Sequence, residues 1–302
     1  MPKPSLWQLA LSKKASDLHV LAGYPPMLRI DGELVPDGDE TMTPAAVKEL
    51  LLSFLSESQY KRFLADKDLD SSHTLQDGTR FRINCHVVAG EPALAARLIP
   101  SSIPSPEDLA LPATVLDICR SDSGLVLFTG PTGCGKSTSM AAIIQQINTE
   151  SAVNIITLED PVEFRFAPKR SIIRQRELGN DFPSFPDGLK HVLRQDPDVV
   201  MVGEMRDLES IGLALTLAET GHLVMATLHT PNAVQTIDRI VDVFPPHQQN
   251  QVRLQLSLSL RAVVAQRLLP KKGGGRIANR EILVKTPAVA NIIREQRLQE
   301  LD

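Results

Sequence analysis

Hydrophobic positions follow two different patterns along the chain, and the pattern changes near residue 100. In the first hundred residues, short stretches alternate between apolar and polar positions, and segments 5–15 and 43–66 have helical spacing. Alternation also surrounds the turn signals at 77–78 and 90–92. This pattern predicts a small α+β domain over residues 1–100.

A proline-rich stretch follows, PSSIPSPEDLALPATV, from Pro100 to Val115. Proline removes a backbone donor and fixes φ, so we expect an extended linker over residues 101–115 that belongs to neither core.

From residue 116 onward, nearly continuous apolar segments alternate with helical ones. The apolar segments are GLVLFTG, VNIITLED, DVVMVGE and HLVMATLH, and the helical ones are KSTSMAAIIQQIN, FPDGLKHVLRQ and LESIGLALTLAETG. This alternation favours a parallel sheet covered by helices on both faces, which is an α/β domain over residues 116–302. KKGGGR at 271–276 predicts a hairpin turn.

Composition narrows the class of protein. The 302 residues suit two domains, and a net charge of −4 argues against a nucleic-acid-binding protein. None of the three cysteines forms a CxxC pair, which excludes a disulfide framework and a four-cysteine zinc site. The sequence has neither a secretory signal nor an apolar run of about 18 residues, so we expect a cytoplasmic protein without direct membrane insertion.

Residues 130–138, GPTGCGKST, match the phosphate-binding pattern G-x-x-x-x-G-K-[ST] between a predicted strand and a predicted helix. Glycines let successive N–H groups face phosphate oxygens, and the helix adds the positive end of its dipole. Lys136 should reach the β- and γ-phosphates, and Ser137 should bind Mg²⁺. The predicted phosphate-binding residues are Gly130, Pro131, Thr132, Gly133, Cys134, Gly135, Lys136, Ser137 and Thr138.

Acidic residues follow two of the predicted strands. TLEDPVEF at 157–164 places Glu163 in an acidic loop, and DPDVVMVGEMRD places Glu204 after a buried strand. Such carboxylates can orient the attacking water or organise Mg²⁺. The alternatives are a polar strand-end loop for the first cluster and a local ion pair between Arg206 and Asp207 for the second.

Two histidines flank the strand in TGHLVMATLHT. A regular strand would point His222 and His229 to opposite faces, which disfavours a shared zinc ion. We expect His229, at the carboxyl end, to sense the γ-phosphate and His222 to be a histidine satisfied within the core.

Together these motifs resemble the type II/IV secretion ATPase superfamily and, within it, the PilT family of type IV pilus retraction ATPases. The resemblance rests on ASDLHVLAGYPPMLRIDG, RFRIN, GPTGCGKST, TLEDPVEF, LRQDPDVVMVGEMRD, AETGHLVMATLHT and TIDRIVDVFPP, in this order along nearly the whole chain. It implies an N-terminal PAS-like domain and a C-terminal RecA-like P-loop ATPase domain in a homohexamer that binds ATP and Mg²⁺.

The resemblance also implies roles for particular residues. Glu163 would activate the attacking water, and Glu204 would be the metal-side glutamate. His229 would be the histidine of the family's His motif. Arginines of the N-terminal domain, Arg80, Arg82 and Arg97, would reach the nucleotide, whereas without the resemblance they are a solvated strand face.

The resemblance further implies an inner-membrane pilus platform protein as partner, and a paralogous pilus ATPase. Three departures are visible: VVAGEP replaces an Asn-Arg-Gly segment, AVANIIRE replaces AIRNLIRE, and the family pattern continues past Asp302 into further helices. The alternatives are an assembly or secretion ATPase of the same superfamily, or a regulatory nucleotide-binding paralogue with weak hydrolysis.

Overall fold

A computed structural model describes residues 5–30, 32–99, 102–271 and 276–301. Contacts divide the chain into two units, Met1–Ser101 and Ser102–Asp302. Each unit has its own hydrophobic core among the described residues.

The first unit is an antiparallel sheet with three helices, in the strand order β3-β2-β1-β6-β5-β4. Its elements are α1 (Leu6–Ser12), β1 (Asp17–Leu21), β2 (Met27–Ile30), β3 (Glu33–Pro36), α2 (Pro44–Leu52), α3 (Glu57–Asp66), β4 (Asp68–Thr74), β5 (Arg80–Val88) and β6 (Glu91–Ile99). The predicted α+β composition is confirmed, and the PAS-like assignment stays a prediction.

Strand β5 shows how the sequence builds this sheet. Phe81, Ile83 and Cys85 alternate along it and are buried in the same core as Trp7 of α1. Arg82 lies between them and therefore belongs to the opposite face of the sheet.

The second unit is a seven-stranded sheet in the order β13-β12-β7-β11-β10-β8-β9, parallel except for β13. Its elements are α4 (Ala113–Ile118), β7 (Gly124–Thr129), α5 (Lys136–Glu150), β8 (Asn154–Glu159), β9 (Ile172–Glu177), α6 (Phe185–Val192), β10 (Val199–Val202), α7 (Leu208–Glu219), β11 (Leu223–Leu228), α8 (Ala233–Asp242), α9 (Pro246–Ser259), β12 (Leu260–Pro270), β13 (Arg276–Val284), α10 (Pro287–Arg294) and the short 3₁₀ helix Leu298–Glu300.

Both faces of this sheet are covered. Along β7, Leu125 and Leu127 belong to one hydrophobic cluster, and Val126 and Phe128 belong to a second cluster. The alternation explains why the strand reads as a continuous apolar run, and it confirms the predicted parallel α/β architecture.

The structure contradicts the predicted linker over 101–115. Leu111 and Val115 are buried in the second unit's core, with Ile103 and Leu109 packed against it. The apolar side chains between the prolines anchor this segment, and α4 begins at Ala113. Residue 101 of that linker, and 272–275 of the predicted hairpin turn, lie outside the described residues.

Candidate active site

Four neighbouring strands of the second unit end at one edge of the sheet and carry the predicted motifs. In spatial order, β7 leads into the phosphate loop (residues 130–138), β11 into His229, β10 into Glu204 and β8 into the acidic loop (residues 160–166). Carboxyl ends of parallel strands are where α/β sheets bind ligands. The strand order therefore brings together motifs that are up to about a hundred residues apart in sequence.

The phosphate loop depends on glycine at positions where the backbone is left-handed or crowded. Gly133 and Gly135 have φ of 76° and 89°, which side chains rarely adopt. A Cβ on Gly130 would clash with the backbone of Gln266 on β12. A Cβ on Gly133 would meet nothing, so that part of the loop is open to a ligand.

Helix α5 begins at Lys136 without a side-chain N-cap, which leaves its first N–H groups available to a phosphate. The Lys136 ammonium is buried and donates to the carbonyl oxygens of Gly130 at 2.7 Å and Pro131 at 3.2 Å. Burial lowers the pKa of Lys136, and the neighbouring Cys134, followed by the carboxylates of Glu204 and Glu163, partly offsets this effect. Both predicted catalytic carboxylates therefore lie close enough to Lys136 to raise its pKa.

Glu204 lies between two cationic or potentially cationic side chains. Its Oε2 accepts from Arg206 Nη2 at 2.7 Å, and its Oε1 lies 3.2 Å from His229 Nε2. Burial would raise the pKa of Glu204, but the hydrogen bond from Arg206 and the charges of His229 and Arg206 outweigh it and lower that pKa. Glu204 is therefore held as a carboxylate between Arg206 and His229.

The suggested ion pair between Arg206 and Asp207 is wrong. Asp207 is the N-cap of α7 and accepts from the backbone N–H of Ser210 at 2.8 Å, which leaves Arg206 to pair with Glu204. His222 lies at the other end of α7, where its Nδ1 is 2.9 Å from the carbonyl oxygen of Leu217. Its contacts are with that helix end rather than with the site.

The acidic loop is fixed by two buried carboxylates that lie opposite each other on neighbouring strands. Glu159 ends β8 and Glu177 ends β9, in direct register. Glu177 Oε2 accepts from the backbone N–H of Val162 at 3.0 Å, and Glu159 Oε2 from that of Glu163 at 3.4 Å. Two consecutive N–H groups of the loop are therefore held, which fixes the backbone from which the half-buried Glu163 projects.

Gln175 of β9 completes this support. Its Nε2 donates to Glu159 Oε1 at 3.1 Å and to the carbonyl oxygen of Phe164 at 2.6 Å, and its Oε1 accepts from the N–H of Phe166 at 3.2 Å. Both sides of the amide are used, so the side chain has one orientation.

Glu159 itself is poorly placed for general-base chemistry, because both of its oxygens already accept hydrogen bonds, from Thr157, Gln175 and the N–H of Glu163. Burial raises its pKa, and hydrogen bonds from Thr157, Gln175 and the Glu163 N–H offset only part of that effect. Its contacts are all with the loop and its neighbouring strands. Glu163 is half-buried whereas Glu159 is buried, so Glu163 is the more accessible of the two to an attacking water.

The three predicted arginines lie on the sheet of the first unit. Arg82 and Arg97 are opposite each other on β5 and β6, and Arg97 Nε donates to Asp17 Oδ1 at 2.8 Å. Arg80 is buried, and its Nη2 donates to Ser72 Oγ at 2.9 Å. Their approach to a nucleotide stays a prediction.

Sequence reasoning missed the residues that support the site from behind. Gln175, Glu177 and Gln266 come from strands whose mixed polar and apolar letters carry no motif. They are marked by their hydrogen bonds to the phosphate and acidic loops and, for Glu177 and Gln266, by burial.

The residues present fit a nucleoside triphosphate with Mg²⁺. The open loop, the uncapped helix and Lys136 suit phosphates, whereas Ser137 in the first turn and Glu204 could hold the metal ion, in part through water. Among the described residues, no group of three or more His, Cys, Asp or Glu side chains forms a protein-only metal site. Within the same residues, no helix is long and apolar enough to span a bilayer.

Comparisons with known proteins agree with this geometry. The family described as type II/IV secretion system protein matches residues 76–296. The type IV pilus retraction ATPase PilT of Pseudomonas aeruginosa is 43% identical over 97% of this chain and 86% of its own length. A twitching motility protein of Neisseria gonorrhoeae is 46% identical over 93% of this chain and 76% of its own length.

Among solved structures, the crystal structure of the pilus retraction motor PilT with bound ADP superposes with a TM-score of 0.94 at 46% identity. The match covers 98% of this chain and 87% of that one. The backbone described above therefore closely resembles that of a motor protein whose structure was solved with bound ADP.

Proposed function

The chain belongs to the type II/IV secretion ATPase superfamily and, within it, to the PilT family, and we propose that it hydrolyses ATP to ADP and phosphate to power the retraction of a type IV pilus. The observation that carries the proposal is the meeting of the phosphate loop, Glu163, Glu204 and His229 at one sheet edge. Each of these groups has a distinct task in phosphoryl transfer to water.

In this proposal, the phosphate loop and Lys136 bind the β- and γ-phosphates, and Ser137 and Glu204 organise Mg²⁺. The metal ion supplies neutralisation of the charge that develops on the phosphoryl oxygens. Glu163 orients the attacking water and accepts its proton. Glu159 and Glu177 hold the backbone of its loop, which keeps the Glu163 carboxylate in a fixed position. His229 is hydrogen-bonded to Glu204 and senses the presence of the γ-phosphate at the carboxyl end of β11.

Arginines complete the site in this account. Arg82 and Arg97, with Arg80 as a third candidate, supply guanidinium groups to the γ-phosphate when six chains assemble into a ring. In the structure the exposed Arg97 is paired with the nearly buried Asp17, so Arg97 can reach a nucleotide only if this ion pair opens. Hydrolysis would then depend on domain closure, which couples chemistry to movement.

The partners follow from retraction. The ring would act in the cytoplasm, at the inner membrane, on a platform protein of the pilus machine, and a paralogous pilus ATPase could act beside it. No nucleic-acid partner is part of the proposal, because the net charge is −4.

The experiment compares wild type with two variants in an ATP turnover assay and an ATP-binding assay. Lys136→Ala should lose both binding and turnover, because the ammonium that contacts the phosphates is gone. Glu163→Gln should bind ATP and hydrolyse it at least about a hundredfold more slowly, since a general base contributes about 10²–10⁴-fold. Wild-type turnover by Glu163→Gln would refute its role, and wild-type turnover by Lys136→Ala would refute the site.

Retraction is tested in cells. Expression of the wild-type chain in a pilus-bearing strain that lacks its retraction ATPase should restore twitching, and Glu163→Gln should not. Restoration of pilus assembly in a strain that lacks the assembly ATPase would instead assign the chain to the assembly branch of the superfamily.

A further inference from the structure

Gln266 lies on β12 directly behind the phosphate loop, with 2% of its surface exposed. Its Oε1 accepts from Ser139 Oγ and from Arg280 Nε, both at 3.0 Å. Because Arg280 can only donate, the oxygen of the amide must face it. The Nε2 group therefore faces the loop, where it donates to the carbonyl oxygen of Cys134 at 2.6 Å.

The loop is fitted around this residue. A Cβ on Gly130 would clash with the carbonyl oxygen of Gln266, and a Cβ on Gly135 would lie 2.9 Å from its Nε2. Two of the three loop glycines thus have a second reason to be glycine, which is close approach to Gln266.

The hydrogen bond to the Cys134 carbonyl also fixes the direction of the Gly135 N–H. The C=O of Cys134 and the N–H of Gly135 belong to one planar trans peptide unit and point in opposite directions. Drawing the carbonyl toward β12 therefore turns the Gly135 N–H away from β12. A carbonyl oxygen facing a phosphate would repel it, whereas an N–H group attracts it.

We propose that Gln266 is a positioning residue of the phosphate loop, which holds the Cys134 carbonyl away from a bound nucleotide and thereby directs the Gly135 N–H toward its phosphates. The inference rests on the proposed nucleotide site and adds a residue that no motif in the chain contains.

Gln266 is in turn held by its neighbours. Arg280 lies opposite it in the β12–β13 pair, and its Nη1 donates to the carbonyl oxygen of Ala110 at 3.1 Å. Ser139 binds the same amide oxygen from the second turn of α5. The amide cannot rotate without breaking these bonds, so it acts as a fixed donor toward the loop.

The test measures the Kd of ADP by calorimetry for wild type, Gln266→Leu and Ser139→Ala. Gln266→Leu removes the donor to Cys134 and the acceptor for Ser139 and Arg280, whereas Ser139→Ala removes only the bond from Ser139. The Kd of ADP should rise about tenfold in Gln266→Leu, as expected for one lost hydrogen bond to the loop, and stay within about twofold in Ser139→Ala.

A purely structural role predicts a different result. It would lower the unfolding temperature of Gln266→Leu while the folded molecules keep the wild-type Kd. Gln266→Glu serves if the leucine variant does not fold: it retains acceptors for Ser139 and Arg280 but has no donor for Cys134, and it should also weaken ADP binding about tenfold.

Wild-type affinity in both Gln266 variants would overturn the inference and leave the proposed function standing. Failure of the wild-type chain itself to bind ADP would overturn the inference and the proposed nucleotide site together.

Discussion

Replacing Gln175 by leucine tests whether the support of the acidic loop matters for catalysis. The substitution keeps the approximate size of the side chain but removes three hydrogen bonds, to Glu159, Phe164 and Phe166. At about 0.5–1.5 kcal/mol each, and with partly buried partners left unpaired, the free energy of unfolding should fall by about 2–4 kcal/mol. For a unit of this size, that lowers the unfolding midpoint by about 5–15 °C.

Gln175→Leu should change kcat without changing KM for ATP. Gln175 supports the loop that carries Glu163 and makes no hydrogen bond to the phosphate loop, so kcat should fall about tenfold or more while KM for ATP stays near the wild-type value. Thermal unfolding by circular dichroism and steady-state ATP turnover measure the two effects in the same samples.

Gln146→Leu is the matched control. It makes the same chemical change at a half-buried position of α5, where Gln146 donates one solvent-exposed hydrogen bond to Glu150 at 2.8 Å. Its effect on stability should stay within about 0.5 kcal/mol. If Gln175→Leu behaved like this control in both assays, the acidic loop would not depend on the support described here.

Three further predictions concern charge and burial. The pKa of Glu204 is lowered, so its contribution to stability should be present above about pH 4.3, the unfolded-state value, and lost as the pH falls through the lower folded-state pKa. The gap in unfolding midpoint between wild type and Glu204→Gln should therefore stay nearly constant above about pH 5 and narrow as the pH falls below about 4.3, and a gap that stays constant down to about pH 3 would contradict this. Burial raises the pKa values of Cys85 and Cys119 to about 12, so neither thiol should react with DTNB at pH 8 until the chain unfolds, which a peptide map of labelled cysteines checks. Loss of a γ-phosphate arginine can cost on the order of 10³-fold, so Arg82→Ala and Arg97→Ala should lower kcat steeply with bound ATP retained, and mild effects of both would remove the arginine assignment.

The buried strands could be predicted from the sequence because parallel strands covered on both faces are almost wholly apolar. GLVLFT and LVMATL need no context to be recognised, and both are strands at full burial. Helix α5 could be predicted equally well, because a helix follows the phosphate-binding pattern in proteins that contain it.

Polar elements at the sheet edge could not be predicted in the same way. Strand β9 reads IIRQRE, in which charged and apolar letters mix, and its pairing with β8 depends on contacts distant in sequence. The linker prediction was wrong because it rested on the prolines alone. The apolar residues of the same stretch, Leu111 and Val115, pack into the core of the second unit.

In the candidate site, too, some residues could be predicted from the sequence and others could not. Groups that would touch the nucleotide lie in motifs, because the chemistry of phosphate binding dictates residue type and spacing. The residues that hold those groups, such as Gln175 and Gln266, could be replaced by any side chain of similar reach with the same donors, so spacing does not reveal them. Only the fold brings Gln266 to within hydrogen-bond distance of Cys134.

The central claim is that this chain is an ATPase whose site becomes complete only in an assembled ring. The most direct test is ATP turnover as a function of protein concentration, with molar mass measured by light scattering in the same samples. Specific activity should rise as a species of six chains appears. Concentration-independent turnover by a monomer would contradict it.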